Sequence, residues 1–227
     1  MHTQNSTSTV TAKFHPKKAA TTGNALKAIT DLFDRDTPVR HFQPGNTIVL
    51  DGTRAETVYE VVSGTIRCCT ISEDGRRQIF RFVRAGDFLG LVDLDTWHYT
   101  AEAVDHVIVR SAPRSQLEMK IRFDPDLQRA VRGFIARELA TRERQLASIA
   151  YMPAAGRLQN FLMEFANSRN TDGFVVLPMT RRDIGDHLGL TLETVSRAFS
   201  TLRQNGVIEM KGTDRFKVLQ QEFAHAA

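Results

Sequence analysis

The sequence predicts an α+β chain built from an N-terminal antiparallel β-roll of the jelly-roll kind, one long dimerisation helix and a C-terminal winged helix-turn-helix. Three observations predict it. Between Val39 and Pro113, short β-rich runs alternate with glycine turns. From Asp126 to Ala150, apolar residues recur at steps of three and four, with no proline and a single glycine. Beyond Met179, two short amphipathic segments flank a glycine turn and lead into a hairpin.

Composition frames these elements. The 227 residues suit two compact domains, and 41% hydrophobic residues supply cores for both. A formal charge of +4 permits a nucleic-acid partner without demanding one. The two cysteines, Cys68 and Cys69, are adjacent. Neighbours on a strand point to opposite faces, so the pair suits neither a disulfide nor a metal clamp, and one core thiol beside one partly exposed thiol is expected. So few cysteines fit a reducing compartment, and with no apolar run near the roughly 20 residues of a membrane span the expected location is cytoplasmic.

In chain order, residues 1–22 lack apolar periodicity and read as a mobile tail. Asn24 can cap a short helix carrying Leu26, Ile29, Leu32 and Phe33. Strands are expected at Val39–Phe42, Thr47–Leu50, Val58–Val62, Thr65–Ile71, Arg76–Val83, Tyr99–Ala103 and Val107–Ser111, divided by turns such as Pro44-Gly45, Ser63-Gly64 and Asp74-Gly75. The exposed turn Ser72–Arg77 is a candidate contact for a large partner. The long helix carries Leu127, Val131, Phe134, Ile135, Leu139, Leu146 and Ile149, with Arg142 interrupting the seam. A stripe that outruns a small barrel is expected to meet a second copy of the chain, with packing against its own domain as the alternative. Met152-Pro153 ends the helix, and a further helix turns Leu158, Phe161, Leu162 and Phe165 inward. The resulting units are 1–22, 23–122, 123–151 and 152–227.

Residues 179–208 read MTRRDIGDHLGLTLETVSRAFSTLRQNGVI. Thr180 and Asp183 have capping-box spacing, Gly189 suits a left-handed C-cap, and Thr191 can cap the next helix. On that second helix, Leu192, Val195, Phe199 and Leu202 form the side expected to be buried. Glu193, Ser196, Arg197 and Ser200 form the opposite side. Arg197 can pair bidentately with guanine, Glu193 can accept from cytosine or orient Arg197, and Ser196 is small enough to let the helix sit deep in a major groove. Thr180, Arg181, Arg182, Thr191, Thr194, Ser200, Arg203, Lys211 and Arg215 suit backbone phosphates. An i,i+4 Glu-Arg pair on a solvated face is commonplace. The frame of caps, apolar stripe and following hairpin is what makes this one a candidate DNA reader.

A β-roll, a long helix and a winged helix in this order resemble the CRP/FNR superfamily over about residues 24–220. The run Leu190–Arg197 matches the E-x-x-S-R recognition helix of its FNR branch, and Thr180–Arg197 is similar to the FixK-type subgroup. The resemblance implies a cyclic-nucleotide-binding-like roll in a sensor position. It also implies a homodimer, a TTGA-type inverted repeat in double-stranded DNA read by Glu193, Ser196 and Arg197, and recruitment of RNA polymerase as an activator.

The sensors of that superfamily are a separate question. A cyclic-nucleotide cassette needs an arginine for the phosphate. Here Asp87 stands at the acidic position and no arginine precedes Thr100, which would leave a buried phosphate unpaired. An iron–sulfur cluster needs thiolates near the N-terminus, and there are none. His41, His98 and His106 leave a haem, nitric oxide or other small-ligand sensor open as the alternative. The leading expectation is no cofactor and no effector. No nucleophile elbow, phosphate loop or His-x3-His pair is present, so an enzyme is not expected.

Overall fold

The computed structural model describes residues 29–30, 33, 37–91, 95–167 and 173–219. The expected tail, the Asn24 cap, Leu26 and Leu32 lie outside the described residues. Ile29 and Phe33 are buried.

The roll is two four-stranded antiparallel sheets. Its strands are β1 (Val39–Phe42), β2 (Thr47–Val49), β3 (Thr57–Ser63), β4 (Thr65–Ile71), β5 (Arg77–Arg84), β6 (Phe88–Leu89), β7 (Thr100–Ala103) and β8 (Val107–Pro113). One sheet runs β1-β8-β3-β6 and the other β2-β7-β4-β5. This is the sandwich of short, turn-linked strands that the spacing of glycines foretold. Between the sheets lie Phe42, Ile48, Tyr59, Ile66, Val83, Leu89, Trp97, Tyr99 and Val107. The sequence reading missed β6 because two residues are too few to show an alternation.

Cys68 and Cys69 depart from the expectation of one exposed thiol. The β4–β5 register shifts between them, and both are buried. Cys68 joins the roll core, while Cys69 lies among Arg67, Arg77, Glu102 and Asp183, where burial pushes its thiol pKa up.

A helix not foreseen, α1 (Arg114–Phe123), follows the roll. It buries only Leu117, so it shows no stripe to read. The long helix α2 (Pro125–Tyr151) begins at an Asp124 cap whose side chain accepts the Asp126 and Leu127 N–H groups, with proline at the first helical position.

The apolar stripe of α2 requires a correction. Leu127, Val131 and Phe134 are buried in their own domain, against Ile29, Phe33, Val58, Phe88 and Leu117. Their side chains are taken up by this core, which leaves little of their surface for a second copy. Ile135, Leu139 and Leu146 remain exposed, at 43%, 58% and 68%, and Ile149 is half-buried. The stripe changes environment along its length: its first turns bury apolar side chains against the roll, whereas further along the contacts with the roll are made by Glu138 and Arg142 and the apolar positions stay open. Arg142, which broke the seam in sequence, folds back over the Phe80 ring and donates to the Phe80 carbonyl.

The C-terminal unit comprises α3 (Ala154–Asn167), β9 (Val175–Val176), α4 (Arg181–Leu188), α5 (Leu192–Gln204), β10 (Ile208–Lys211) and β11 (Arg215–Val218). Leu158, Phe161, Leu162 and Phe165 face inward as expected, onto Ile184, Val195, Leu202 and Phe216. The strands form a small sheet ordered β10-β11-β9.

Candidate nucleic-acid interface

The α4 helix starts at a full capping box. Thr180 Oγ1 accepts the Asp183 N–H at 3.1 Å, and Asp183 Oδ2 accepts the Thr180 N–H at 3.0 Å. Gly189 ends the helix at φ 66° and ψ 40°, a conformation that costs a side chain strain and costs glycine little. A Cβ on Gly185 would stand 2.6 Å from the Leu190 carbonyl, so glycine there lets the turn close against the helix. Thr191 Oγ1 then accepts the Thr194 N–H at 3.2 Å and starts α5. Each cap is worth about 1 kcal/mol.

The faces of α5 separate nearly as expected. Val195, Ala198, Phe199 and Leu202 are buried. Leu192, expected among them, is 48% exposed. It is the first residue of α5, on the turn, and Ala198 completes the buried face instead.

Glu193, Ser196, Arg197 and Ser200 share the outer face, all exposed. Arg197 Nη2 meets Glu193 Oε1 at 2.5 Å, and both side chains are about three-quarters exposed. An exposed pair of this kind contributes little to stability. It holds the guanidinium extended along the face while leaving most of its N–H groups free to meet a base. Ser196 Oγ donates to the Leu192 carbonyl and Ser200 Oγ to the Ser196 carbonyl, which keeps the rest of the face low.

Of the residues suited to phosphates, Thr180, Arg182, Thr191, Ser200, Arg203, Lys211 and Arg215 are exposed, and Thr194 is half-buried against Thr191. Arg181 is not available as expected. Its guanidinium lies over the Phe199 ring, its Nη2 donates to the Thr213 carbonyl at 3.0 Å, and its Nη1 is buried. Burial pushes its pKa down to about 10, which leaves it charged at neutral pH. Its charge and its place at the start of α4 make it a phosphate candidate in sequence. Its reach across to the wing is a tertiary fact.

Three groups were missed. Arg157 ties α2, α3 and α4 together by donating to the carbonyls of Ile149, Met152 and Leu188. Asp183 was read as a cap, yet its Oδ1 accepts from Arg67 and Arg77 of the roll, at 3.2 and 2.6 Å. Burial alone would raise the Asp183 carboxyl, but the Thr180 hydrogen bonds and the two arginine charges outweigh it and lower the pKa. His187 packs against the Phe82 and Phe161 rings with its Nδ1 3.1 Å from the Ile79 carbonyl. The roll partners of Asp183 and His187 stand more than 100 residues away, and the Arg157 partners are backbone carbonyls, so neither kind leaves a periodic signal.

Away from this surface, His41, His98 and His106 are all exposed on the roll, the His41 and His106 rings 5.7 Å apart. Among the described residues no group of three or more His, Cys, Asp and Glu could hold a metal, and no helix is long and apolar enough to cross a membrane. A groove of about 790 Å³ lies outside the roll, edged by Arg54, Glu56, Asp95, Arg114 and Glu118.

Comparison with known proteins agrees with this geometry. Residues 156–222 match the model of the Crp-like helix-turn-helix domain, and residues 39–122 match that of the cyclic nucleotide-binding domain. The chain is 35% identical over 179 residues to the nitrogen fixation regulation protein FixK of Azorhizobium caulinodans, covering 77% of this chain and 72% of that one. It is 30% identical over 195 residues to the transcriptional activator protein FnrA of Stutzerimonas stutzeri, covering 83% and 79%. The structure of FixK2 from Bradyrhizobium japonicum superposes with a TM-score of 0.78 at 35% identity, over 82% of this chain and 93% of that one. A helix-turn-helix whose polar face is free, a roll before it and relatives at this identity lead to one conclusion: the chain belongs to the CRP/FNR family of DNA-binding transcription regulators, in its FixK-type group.

Proposed function

We propose that the chain is a cytoplasmic, homodimeric transcription activator that reads TTGA-type inverted repeats and works without a small-molecule effector. The observation that carries this reading is the outer face of α5, where Glu193, Ser196 and Arg197 stand together, exposed and framed by two capped helices and a wing. Arg182, Thr191, Thr194, Ser200, Arg203 and Lys211 hold the phosphates around it, with Thr180 at the helix start. The two chains meet through Ile135, Leu139, Leu146 and Ile149, whose apolar surface the chain itself leaves uncovered. In this reading residues 23–122 form the roll, 123–151 the dimerisation helix and 152–227 the DNA-binding unit. Activation through RNA polymerase fits the activator that FnrA is named as.

Two features support effector independence. Trp97, Tyr99 and Phe80 pack edge to face inside the roll. The cations between the roll and α2 already have partners: Arg81 pairs with Glu138, and Arg142 covers the Phe80 ring. Both cations are thus already engaged within the chain.

Selection of bound duplexes from a random library tests the reading. The expected product is an inverted repeat with TTGA-type half-sites about one helical turn apart. Enrichment of a single unpaired half-site would overturn the dimer, and a Soret band in the purified protein would overturn effector independence.

A further inference from the structure

The contact between α4 and the roll is not needed to complete the core of the DNA-binding unit. That core is closed by α3, α4, α5 and the wing, and the roll adds only Phe82 and Val104 at its edge. Yet five charged side chains converge where the two units meet. Arg67 on β4 pairs with Glu102 on β7 at 2.8 Å and with Asp183 at 3.2 Å. Arg77 on β5 pairs with Asp183 at 2.6 Å and with Asp186 at 2.7 Å. Asp183 is 2% exposed and the others about a fifth to a quarter. Two cations thus join three carboxylates in a chain running from β7 through β4, α4 and β5 and back to α4.

Two features make this chain a device for orientation. Asp183 divides its oxygens: Oδ2 closes the capping box of α4, and Oδ1 receives both arginines. The roll therefore grips the atom group that starts the helix-turn-helix. Asp186 lies one turn along α4, so Arg77 spans two points on one helix face and resists tilt as well as translation. A partly buried ion cluster contributes little net stability beside an apolar contact of equal size, because desolvation offsets attraction. What it does supply is direction.

We propose that Arg67 and Arg77 are positioning residues for DNA recognition, which act through Asp183 and Asp186 to fix the angle of the helix-turn-helix on the roll and so the separation of the two recognition helices in a dimer. The proposal rests on the homodimer reading above. Gly185 packs α4 tightly against the turn that leads into α5, so a tilt of α4 is transmitted to α5. Adding one base pair between half-sites moves the second by about a tenth of a helical turn. Only a rigidly held pair of recognition helices discriminates against so small a displacement.

The test uses the full chain and a set of duplexes with identical half-sites whose spacing is the optimum, one base pair shorter or one longer. Affinity is read for wild type, Arg77→Met and Asp186→Asn, the last of which leaves the capping box untouched. Both variants are expected to lose about tenfold or more of the preference for the optimal spacing, while base preference within the half-site is retained. A dimeric wild type whose spacing preference survives unchanged in both variants, with all spacings weakened alike, overturns the assignment alone. A wild type that sediments as a monomer and ignores spacing overturns the dimer reading, and the assignment falls with it.

Discussion

The Arg181 guanidinium carbon stands 3.1 Å from the centroid of the Phe199 ring, so one of the two adjacent arginines that open α4 is turned inward to join the recognition helix to the wing. Its neighbour Arg182 is exposed. The pair separates electrostatic binding from scaffold support. Arg182→Ala should lower the salt dependence of DNA binding by about one ion per protomer and weaken all sequences alike. Arg181→Ala should leave that slope unchanged and lower folding stability by about 1–2 kcal/mol through loss of the stacked cation. Anisotropy titrations across a salt series, with denaturant unfolding, check both. Equal slopes lost in the two variants would return Arg181 to the phosphates.

Arg197 carries the sharpest prediction on specificity. Arg197→Ala should cost about 1–3 kcal/mol on the preferred duplex and relax the preference at one guanine in each half-site. Glu193→Ala releases Arg197 from its 2.5 Å partner and should broaden specificity at the same position by less. Binding measured on the four base variants at that position decides. A uniform loss over all four would make Arg197 a phosphate contact.

The winged unit was legible in sequence because its signals are local. Capping spacing at Thr180 and Asp183, a glycine at 189 and a stripe three and four residues apart are all short-range consequences of helix geometry. The roll was legible for a similar reason, its turns being marked by glycine. The junction between them was not. Nothing near Arg67 or Arg77 in sequence indicates an aspartate 106 or 116 residues away, and Asp183 already had a local explanation. The stripe of α2 was read correctly as apolar and wrongly as uniform, since period alone does not say which neighbour each turn meets.

That correction makes a paired prediction. Phe134 is 5% exposed in its own core, and Phe134→Ala should cost about 3–5 kcal/mol of folding stability. Leu139 is 58% exposed, and Leu139→Asp should leave the fold intact while weakening self-association, because two carboxylates would face each other across the pair. Sedimentation velocity combined with denaturant unfolding separates the outcomes. A Leu139→Asp chain that remains dimeric at the concentrations where wild type does would move the interface off this stripe.

The junction should also be acid-sensitive, and His187 sets the pH range. Burial pushes its pKa down to about 4, with the Ile79 carbonyl working against that shift and the Arg142 charge adding to it. The folded chain therefore refuses a proton that the unfolded chain accepts below its ordinary value of 6.5. The contribution is complete above 6.5, falls as pH drops through the window from 6.5 to 4, and amounts to a loss of about 2 kcal/mol at pH 5. Asp183 has the opposite charge type and its pKa is lowered, so its contribution is lost only as pH falls through that lowered value, below the His187 window. Between pH 7 and pH 5 the junction's dependence is thus that of the imidazole. His187→Gln has no proton to accept, so the drop in unfolding free energy between those two pH values should shrink by about 2 kcal/mol relative to wild type. Chemical unfolding of both proteins at the two pH values measures it, and an equal drop in each would mean that His187 does not titrate at the junction.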